Sequence, residues 1–311
     1  MATSYMYVGN VPVNETVRLR SAANTNATVL LNVPFGKMVS VENYSATDTW
    51  SAVTYDGTSG FMMTKFLVAE DPFKNIEDAN FTIGHFGKTN TVQVKVRKQP
   101  STSAGHYNNV VKGSTFLIDG VVQGTTLNGS ANWVKIRYGT KSGGHQNAYI
   151  HSSYFTDIGM ADSDAKSRCI RIAKSLNKNT EGNLGLGGDC CQQFIYWLCG
   201  ACGKTVEKMP FNKYTCGPAR DYFKVAGQGS WQDWSASCKP KAGDLVYYGA
   251  VGGTTSNHVG LVVAVDAANK TYTSIECNLS DKVKECVGDY GTGYCETNNK
   301  QIQGFARPLW T

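Results

Sequence analysis

Residues 187–192, Gly-Gly-Asp-Cys-Cys-Gln, combine a nucleophilic residue type with a setting that would activate it. The glycines indicate a turn, Asp189 is a good N-cap, and Gln192 three residues later completes a capping-box pattern. A helix N-terminus presents unpaired N–H groups and a positive dipole end, which lower the pKa of a thiol there. The same N–H groups can stabilise an oxyanion. The stretch therefore predicts a cysteine nucleophile at the head of a helix.

The spacing of apolar residues favours Cys191 over its neighbour. Apolar or thiol side chains recur at positions 191, 194, 195, 198, 199 and 202, which is one face of a buried helix. Cys191 begins that face, whereas Cys190 is rotated by about 100° and stays a rival. Free cysteine is also a common core residue, so a purely structural Cys191 remains an alternative at this point.

A thiol nucleophile needs a base, and histidine is the usual one. Residues 158–311 contain one histidine, His258. The other four precede this half of the chain: His85, His106, His145 and His151. By elimination, His258 is the base of any cysteine–histidine site here, with a satisfied histidine in a sheet as the alternative.

The elements that would position these residues follow from periodicity. After a joint at Thr156–Ser163, a helix capped by Asp162 or Ser163 is predicted. Its apolar positions are Cys169, Ile172, Ala173 and Leu176, and its solvated face carries Lys166, Arg171 and Lys174. Residues 204–238 look irregular. Strands are predicted at 243–248, 258–265 and 271–278. Helices followed by antiparallel strands predict an α+β domain.

The last two strands form a hairpin whose register is set by assuming that Val265 pairs with Thr271. Asn278 then lies directly opposite His258, at roughly 5 Å. Glu276 is diagonal to the histidine, at roughly 7–8 Å. Either side chain could hold the imidazole in a productive tautomer. A shift of one residue would move both to the far face of the sheet.

The composition of the chain limits which classes of function it can have. The chain has 311 residues, 41% of them hydrophobic and 17% charged, enough for two or three domains. Basic residues outnumber acidic ones by 13 to 10 in residues 1–157 and by 17 to 14 in 158–311. This even spread argues against a nucleic-acid partner, while a mildly basic surface suits an anionic polymer such as a bacterial cell wall. The first residues lack a signal-peptide pattern, and Val259–Val265 is too short to cross a bilayer, so we expect cytoplasmic synthesis and no membrane partner.

All ten cysteines lie at or beyond position 169. A secreted disulfide scaffold would be cysteine-dense throughout, so mostly free thiols are expected. Cys199-x2-Cys202 is half of a zinc motif, but both residues lie on the helix face, which favours core packing and no metal. A disulfide between Cys286 and Cys295 stays open.

Residues 1–157 contain two copies of one β unit. Arg20 and Arg97 are 77 positions apart, Trp50 and Trp133 are 83 apart, and Phe61 and Tyr149 are 88 apart. Short alternating strands with Gly, Asn and Ser turns predict small barrels. The Val-x-Arg strand, the central Trp and the closing Gly-aromatic segment resemble the bacterial SH3-like (SH3b) family. The resemblance implies two wall-binding domains, 1–72 and 73–158, in which we expect both tryptophans to belong to the barrel cores.

Residues 159–311 carry five motifs in the order of the CHAP family, whose relatives include NlpC-type peptidases. They are Cys191-x-x-Phe194-Ile195-x-Trp197, Lys239-Pro240-x-Ala242-Gly243-Asp244-Leu245-Val246, Asn257-His258-Val259-Gly260-Leu261-Val262, Ile275-Glu276-x-Asn278 and Gly304-Phe305-x-Arg307-Pro308. This segment therefore resembles a papain-like CHAP domain. The resemblance implies Cys191 as nucleophile, His258 as base, and Glu276 with Asn278 as orienting partners.

The sequence departs from the family at two cysteine positions and in the loop before Cys190. The doubled cysteine and Cys277, which stands where glycine is common, are unusual. Some relatives bind calcium through an acidic loop, but Glu181 is the only acidic residue of Thr180–Gly188, so neither calcium nor another cofactor is expected.

The expected protein is a multidomain, endolysin-type peptidoglycan hydrolase of phage origin, with two small all-β SH3-like barrels before an α+β papain-like CHAP domain. It would cut a muramoyl-alanine amide or a peptide bond of the wall. The alternatives are a wall-binding protein without catalysis and a cysteine amidase with another substrate.

Overall fold

The structure is a computed structural model that describes residues 3–13, 15–188, 190–203, 209–225 and 229–310. These residues form three antiparallel sheets of seven strands and three α-helices. In these ranges no helix combines the length and apolar character that crossing a bilayer would require.

The first sheet lies in the N-terminal unit. Its strands are β1 (Thr3–Val8), β2 (Thr16–Arg20), β3 (Val29–Pro34), β4 (Met38–Glu42), β5 (Trp50–Tyr55), β6 (Thr58–Met63) and β7 (Leu67–Val68). The spatial order is β3-β2-β6-β5-β4-β1-β7, and a 3₁₀ turn at Thr64–Phe66 precedes the last strand. Alternating residues of these strands fill a core of their own, as the period of two predicts.

The second unit repeats this topology. Its strands are β8 (His85–Thr89), β9 (Gln93–Arg97), β10 (His106–Val111), β11 (Thr115–Leu127), β12 (Ser130–Gly139), β13 (His145–His151) and β14 (Phe155–Met160). Their order, β10-β9-β13-β12-β11-β8-β14, is that of the first sheet with every label raised by seven. The predicted duplication is therefore confirmed as two copies of one β unit.

Single side chains follow the repeat as well. Arg20 donates to the carbonyl oxygen of Ala27 at 2.7 Å, and Arg97 donates to that of Ala104 at 2.5 Å. The expectation of a core tryptophan is confirmed for Trp133, which is 2% exposed. It is wrong for Trp50, which is half-buried and lines a surface cleft.

The C-terminal unit contains all three helices, α1 (Ala165–Ser175), α2 (Cys191–Ala201) and α3 (Cys216–Phe223). Its strands are β15 (Ser230–Asp233), β16 (Leu245–Gly249), β17 (Ser256–Asp266), β18 (Thr271–Glu276), β19 (Lys284–Asp289), β20 (Tyr294–Cys295) and β21 (Lys300–Arg307). The order is β15-β21-β16-β17-β18-β19-β20, and β20 also pairs with β21, so six strands close into a ring. Strands predominate over helices in this unit.

Three local predictions are corrected by the structure. The N-cap of α1 is Asp164, which accepts a hydrogen bond from the backbone N–H of Ser167 at 2.8 Å, instead of Asp162 or Ser163. The predicted joint at Thr156–Ser163 begins as strand β14. The described part of 204–238, expected to be irregular, contains α3 and β15, because short elements there have too few periodic residues to be recognised.

Helix α2 is buried on nearly every side, beyond the single face that its spacing predicts. It packs between β17 of its own sheet and β12 of the second β unit, and one hydrophobic core spans the two units. The Trp197 ring meets Tyr138 edge to face with centroids 5.1 Å apart. The backbones approach closely: a Cβ at Gly200 would lie 1.8 Å from the carbonyl oxygen of Gly144. Glycine inside this helix is therefore required by packing.

This contact predicts that Gly200→Ala destabilises the protein, although helix propensity alone would favour alanine by about 1 kcal/mol. The added methyl group must displace β-unit backbone, at a cost of about 1–3 kcal/mol. Urea unfolding, followed by tryptophan fluorescence, measures the change. Gly217→Ala in α3 is the matched control, since its Cβ would meet its nearest neighbour, the Ser256 carbonyl oxygen, at an ordinary 3.7 Å. Equal midpoints for the two variants would contradict the argument.

Candidate active site

Cys191 is the first residue of α2, as the sequence predicts. Asp189, the predicted N-cap, lies outside the described residues, and Cys190 precedes the helix without a side-chain capping bond. The capping box predicted between Asp189 and Gln192 therefore also lies outside the described residues. Gln192 is fully buried and accepts a hydrogen bond from the Tyr247 hydroxyl at 3.1 Å. The backbone N–H of Gln192 contacts the Cys191 sulfur.

The structure brings Cys191, His258 and Glu276 into one hydrogen-bonded line. The His258 imidazole bonds the Cys191 sulfur, and its Nε2 lies 2.9 Å from Glu276 Oε2. Because Nε2 is hydrogen-bonded to the carboxylate, Nδ1 is the ring nitrogen left to bond the sulfur. The side chains of His258 and Glu276 are 4% and 0% exposed, so water does not compete for this bond.

Glu276 is held by donors from several elements. Its Oε1 accepts from the Tyr248 hydroxyl and the Ser274 hydroxyl, both at 2.6 Å. Its Oε2 accepts from Asn298 Nδ2 at 2.9 Å in addition to the imidazole. Burial alone would raise the pKa of this carboxyl, but these hydrogen bonds and the charge of His258 lower it. The group is therefore a carboxylate that fixes the ring.

Gly260 makes room for this carboxylate. It pairs with Glu276 across β17 and β18, and a Cβ at Gly260 would lie 2.7 Å from Glu276 Cγ. A glycine at position 260 therefore leaves the space that the Glu276 side chain occupies beside His258.

Cys191 and His258 shift each other's pKa. A hydrogen bond with Cys216 is the largest influence on Cys191, and the bond and charge of His258 add to it. Against the effect of burial, they lower the pKa of Cys191 to about 5. Burial would lower the pKa of His258, but its bonds and charge interactions with Cys191 and Glu276 raise it to about 9. Between these values the favoured form is a thiolate–imidazolium pair.

Cys216 is a neighbour of Cys191 that no sequence pattern predicts. It begins α3, and its sulfur lies 3.3 Å from that of Cys191. The cysteine falls in the region expected to be irregular, where no periodic pattern points to it. Tyr248 and Asn298 were missed for a similar reason, since nothing local links them to Glu276. Ser274 could have been found, because a residue two positions before Glu276 lies on the same face of a strand.

Cys190 points elsewhere. Its sulfur lies 3.0 Å from that of Cys277, and both residues are completely buried. The doubled cysteine and the cysteine in the usual glycine position, the two unusual residues of the sequence, thus contact each other. His258 bonds Cys191, so the geometry favours Cys191 over its rival.

Among the described residues, the donor atoms of Glu181, Cys190 and Cys277 lie within 4.8 Å of one another. Two thiolates on one zinc ion stand about 3.8 Å apart when each Zn–S bond is about 2.3 Å. The two sulfurs are closer than that, and contact with Cys190 raises the pKa of the Cys277 thiol well above its usual range. We therefore assign no metal here.

The predicted hairpin register is wrong at the turn and right at Glu276. Val265 pairs with Tyr272 instead of Thr271, and a bulge between Val262 and Ala264 restores the predicted pairing of Gly260 with Glu276. Strand β18 ends at Glu276, so Asn278 does not pair with His258. It lies two residues further on with φ of 68°, and no hydrogen bond found among the described residues joins it to the histidine.

The remaining cysteines are buried, and within the part of the chain that the structure describes Cys286 and Cys295 form no disulfide. Cys199 and Cys202 are both fully buried, and the Cys202 thiol contacts the Cys199 carbonyl oxygen at 3.1 Å, which agrees with core packing.

Two of the sequence motifs meet away from the site. Arg307 donates to both carboxylate oxygens of Asp244 at 2.7 and 2.8 Å, with the Asp244 side chain 3% exposed. This bidentate pair joins β21 to the start of β16, the strand that carries Tyr248.

Comparison with known proteins gives one domain match. Residues 180–278 match the family model described as the CHAP domain. No curated protein was found to match this chain. Similar solved structures include NlpC2 from Trichomonas vaginalis, with 12% identity, 100% and 98% of the two chains covered and a TM-score of 0.32. An NlpC/P60 family protein from Bacillus cereus has 13% identity, 98% and 100% coverage and a TM-score of 0.37. At these TM-scores we draw nothing from the likeness.

The electrostatics of the site predict selective alkylation of Cys191. Since the folded-state pKa is lowered to about 5, the thiolate exists above that pH and is lost as the pH falls through it. We expect iodoacetamide to modify Cys191 with an apparent midpoint near pH 5, measured by mass spectrometry of tryptic peptides. His258→Ala should move the midpoint upward, towards about 8.5. A wild-type midpoint already near that value would refute the ion pair.

Proposed function

We propose that residues 159–311 form a CHAP-type domain that hydrolyses an amide bond of bacterial peptidoglycan. In this proposal Cys191 is the nucleophile, His258 the base and Glu276 the group that orients the ring. The observation that carries it is the Cys191–His258–Glu276 hydrogen-bonded line within the residues that match the CHAP domain model. We also propose an α+β papain-like class for this domain, because α1–α3 pack against an antiparallel sheet.

The reaction follows from the charges of the site. The Cys191 thiolate attacks the amide carbonyl carbon, and the oxyanion is stabilised by N–H groups at the start of α2. Among the described residues, the Phe194 N–H donates to the Cys190 carbonyl at the start of the helix. The N–H groups of a helix's first turn in general have no intrahelical acceptor. The imidazolium of His258 protonates the departing amine. Water, activated by the then neutral imidazole, releases the acyl group and restores the thiol.

Glu276 takes the whole orienting role in this proposal. The sequence resemblance shares that role with Asn278, but Asn278 lies beyond the end of β18 while Glu276 bonds Nε2 directly. Asn298 is proposed as a positioning residue for the carboxylate, since its amide donates to the same oxygen as the ring.

The two β units are proposed as SH3-like wall-binding domains, near residues 1–72 and 73–158. They present matching clefts, one of about 210 Å³ and one of about 470 Å³. Equivalent positions line both: Val17 and Val94, Arg18 and Lys95, Arg20 and Arg97, Thr25 and Thr102, Trp50 and Trp133, Met63 and His151, Phe66 and Tyr154. A basic, aromatic cleft repeated at the same place suits two segments of one anionic polymer.

The combination of wall-binding units and a catalytic domain underlies the finer proposal of an endolysin-type enzyme. Its target is either the muramoyl-alanine amide or a peptide bond of the stem or cross-bridge. Mass spectrometry of soluble wall fragments distinguishes these, because each cut frees a different amine.

Replacement of the nucleophile tests the catalytic proposal. Cys191→Ala should lower the release of soluble fragments from purified bacterial walls by roughly three orders of magnitude or to background. Cys190→Ala is the matched control and should retain most of the activity, since its sulfur contacts Cys277. Equal activity of Cys191→Ala and wild type would end the assignment. Binding of wild-type protein to walls without fragment release would favour a non-catalytic wall-binding protein.

Charge reversal in the clefts tests the binding proposal. Arg18 and Lys95 are exposed equivalents in the two clefts, so R18E/K95E should weaken sedimentation with walls and leave folding intact. The double variant K37E/K88E, at exposed residues outside both clefts, makes the same change in net charge. Equal loss in both variants would mean that net charge, and not the clefts, determines binding.

A further inference from the structure

Two sulfur–sulfur contacts lie at the start of α2, one made by Cys190 and one by Cys191, and they differ in exposure to solvent. Cys190 and Cys277 are 0% exposed, whereas Cys191 and Cys216 are each 5% exposed. The sulfurs of the second pair lie 3.3 Å apart. A small oxidant can therefore reach the second pair, while the first is closed to it.

We propose that Cys191 and Cys216 form an oxidation site, at which a peroxide converts the nucleophile to a sulfenic acid and Cys216 then closes a reversible disulfide. As a means of regulation, this rests on the proposed function of Cys191, although the disulfide chemistry itself does not.

The first step needs a thiolate with a proton donor beside it. The Cys191 sulfur attacks one oxygen of hydrogen peroxide, an S–O bond forms, and the O–O bond breaks. The sulfur loses two electrons, which reduce the peroxide. The imidazolium of His258, hydrogen-bonded to this sulfur, supplies the proton that turns the departing hydroxide into water. The lowered pKa of Cys191 means that the reactive thiolate is present at neutral pH.

The second step needs a thiol within reach. Cys216 attacks the sulfenyl sulfur, an S–S bond forms, and the S–O bond breaks. The hydroxide leaves with the Cys216 proton as a second molecule of water. The sulfurs must approach by about 1.3 Å, from 3.3 Å to a bond of about 2.05 Å. Each cysteine begins a helix, so both sulfurs can move at a helix end without disturbing an interior turn.

The disulfide would inactivate Cys191 and at the same time protect it from irreversible oxidation. A disulfide removes the nucleophile but is reversed by thiols, whereas a sulfenic acid left without a resolving thiol is oxidised further to an irreversible sulfinic acid. Cys216 would thus decide whether oxidative loss of activity can be reversed.

The test uses full-length protein treated with hydrogen peroxide and then with dithiothreitol. In wild type we expect peroxide alone to lower the intact mass by two hydrogen atoms and to give a tryptic cross-link between the Cys191 and Cys216 peptides. Dithiothreitol should then restore most of the wall-hydrolysing activity. In Cys216→Ser, compared with its own untreated sample, we expect no recovery and a gain of two oxygen atoms at Cys191.

Cys277→Ser is the matched control, because it removes one sulfur of the other pair, and it should recover to the same extent as wild type. A wild-type cross-link to any other cysteine, or equal recovery by Cys216→Ser, would overturn the proposal. If untreated protein does not act on walls, the cross-link still decides the disulfide by mass alone. Failure of the proposed function is then distinct from failure of this inference.

Discussion

A buried carboxylate is the constraint on which the rest of the C-terminal unit depends. An isolated carboxylate costs a great deal of free energy to remove from water, and burial is tolerated only when its oxygens are paired. Glu276 meets this requirement with donors on β16, β17 and β18 and on the segment before β21. The same bonds join those strands to one another and hold the His258 ring by its Nε2. The position of His258 beside Cys191 therefore depends on the hydrogen bonds that the buried Glu276 carboxylate requires.

The sequence pairs Cys191 with His258, and the structure brings these two side chains into contact. Cys191 follows from the helix face and the helix start, and His258 follows from being the single histidine of residues 158–311. The position of Glu276 is predicted from an incorrect register. The predicted pairing is wrong by one residue at the turn, and the extra residue in the bulge near Val263 cancels that error before Glu276 is reached. No sequence pattern predicts the bulge. Asn278 is lost as a partner because β18 ends two residues earlier than periodicity suggests.

What the sequence could not predict lies in contacts between distant, aperiodic segments. Cys216 and Asn298 reach the site from a short helix and from a loop, and their positions depend on the tertiary path of the chain. The N-terminal half shows the opposite case. Its repeat could be recognised because strand order and the Arg and Trp positions recur, and the structure repeats the whole topology. The two tryptophans still differ in burial, since equivalent sequence positions need not have equivalent neighbours.

Helix α2 connects the two kinds of unit. The CHAP match begins at residue 180, yet the helix that carries Cys191 is covered in part by residues before it, including Phe116 and Tyr138 against Trp197. Gly139 and Gly200 permit this contact at backbone distance, so the second β unit packs directly against helix α2. A segment starting at residue 159 would leave that apolar face of α2 uncovered, at about 25 cal/mol for each Å² returned to water. The predicted boundary at residue 158 thus falls inside strand β14 and does not divide the hydrophobic core, so the position of Cys191 depends on both sides of it.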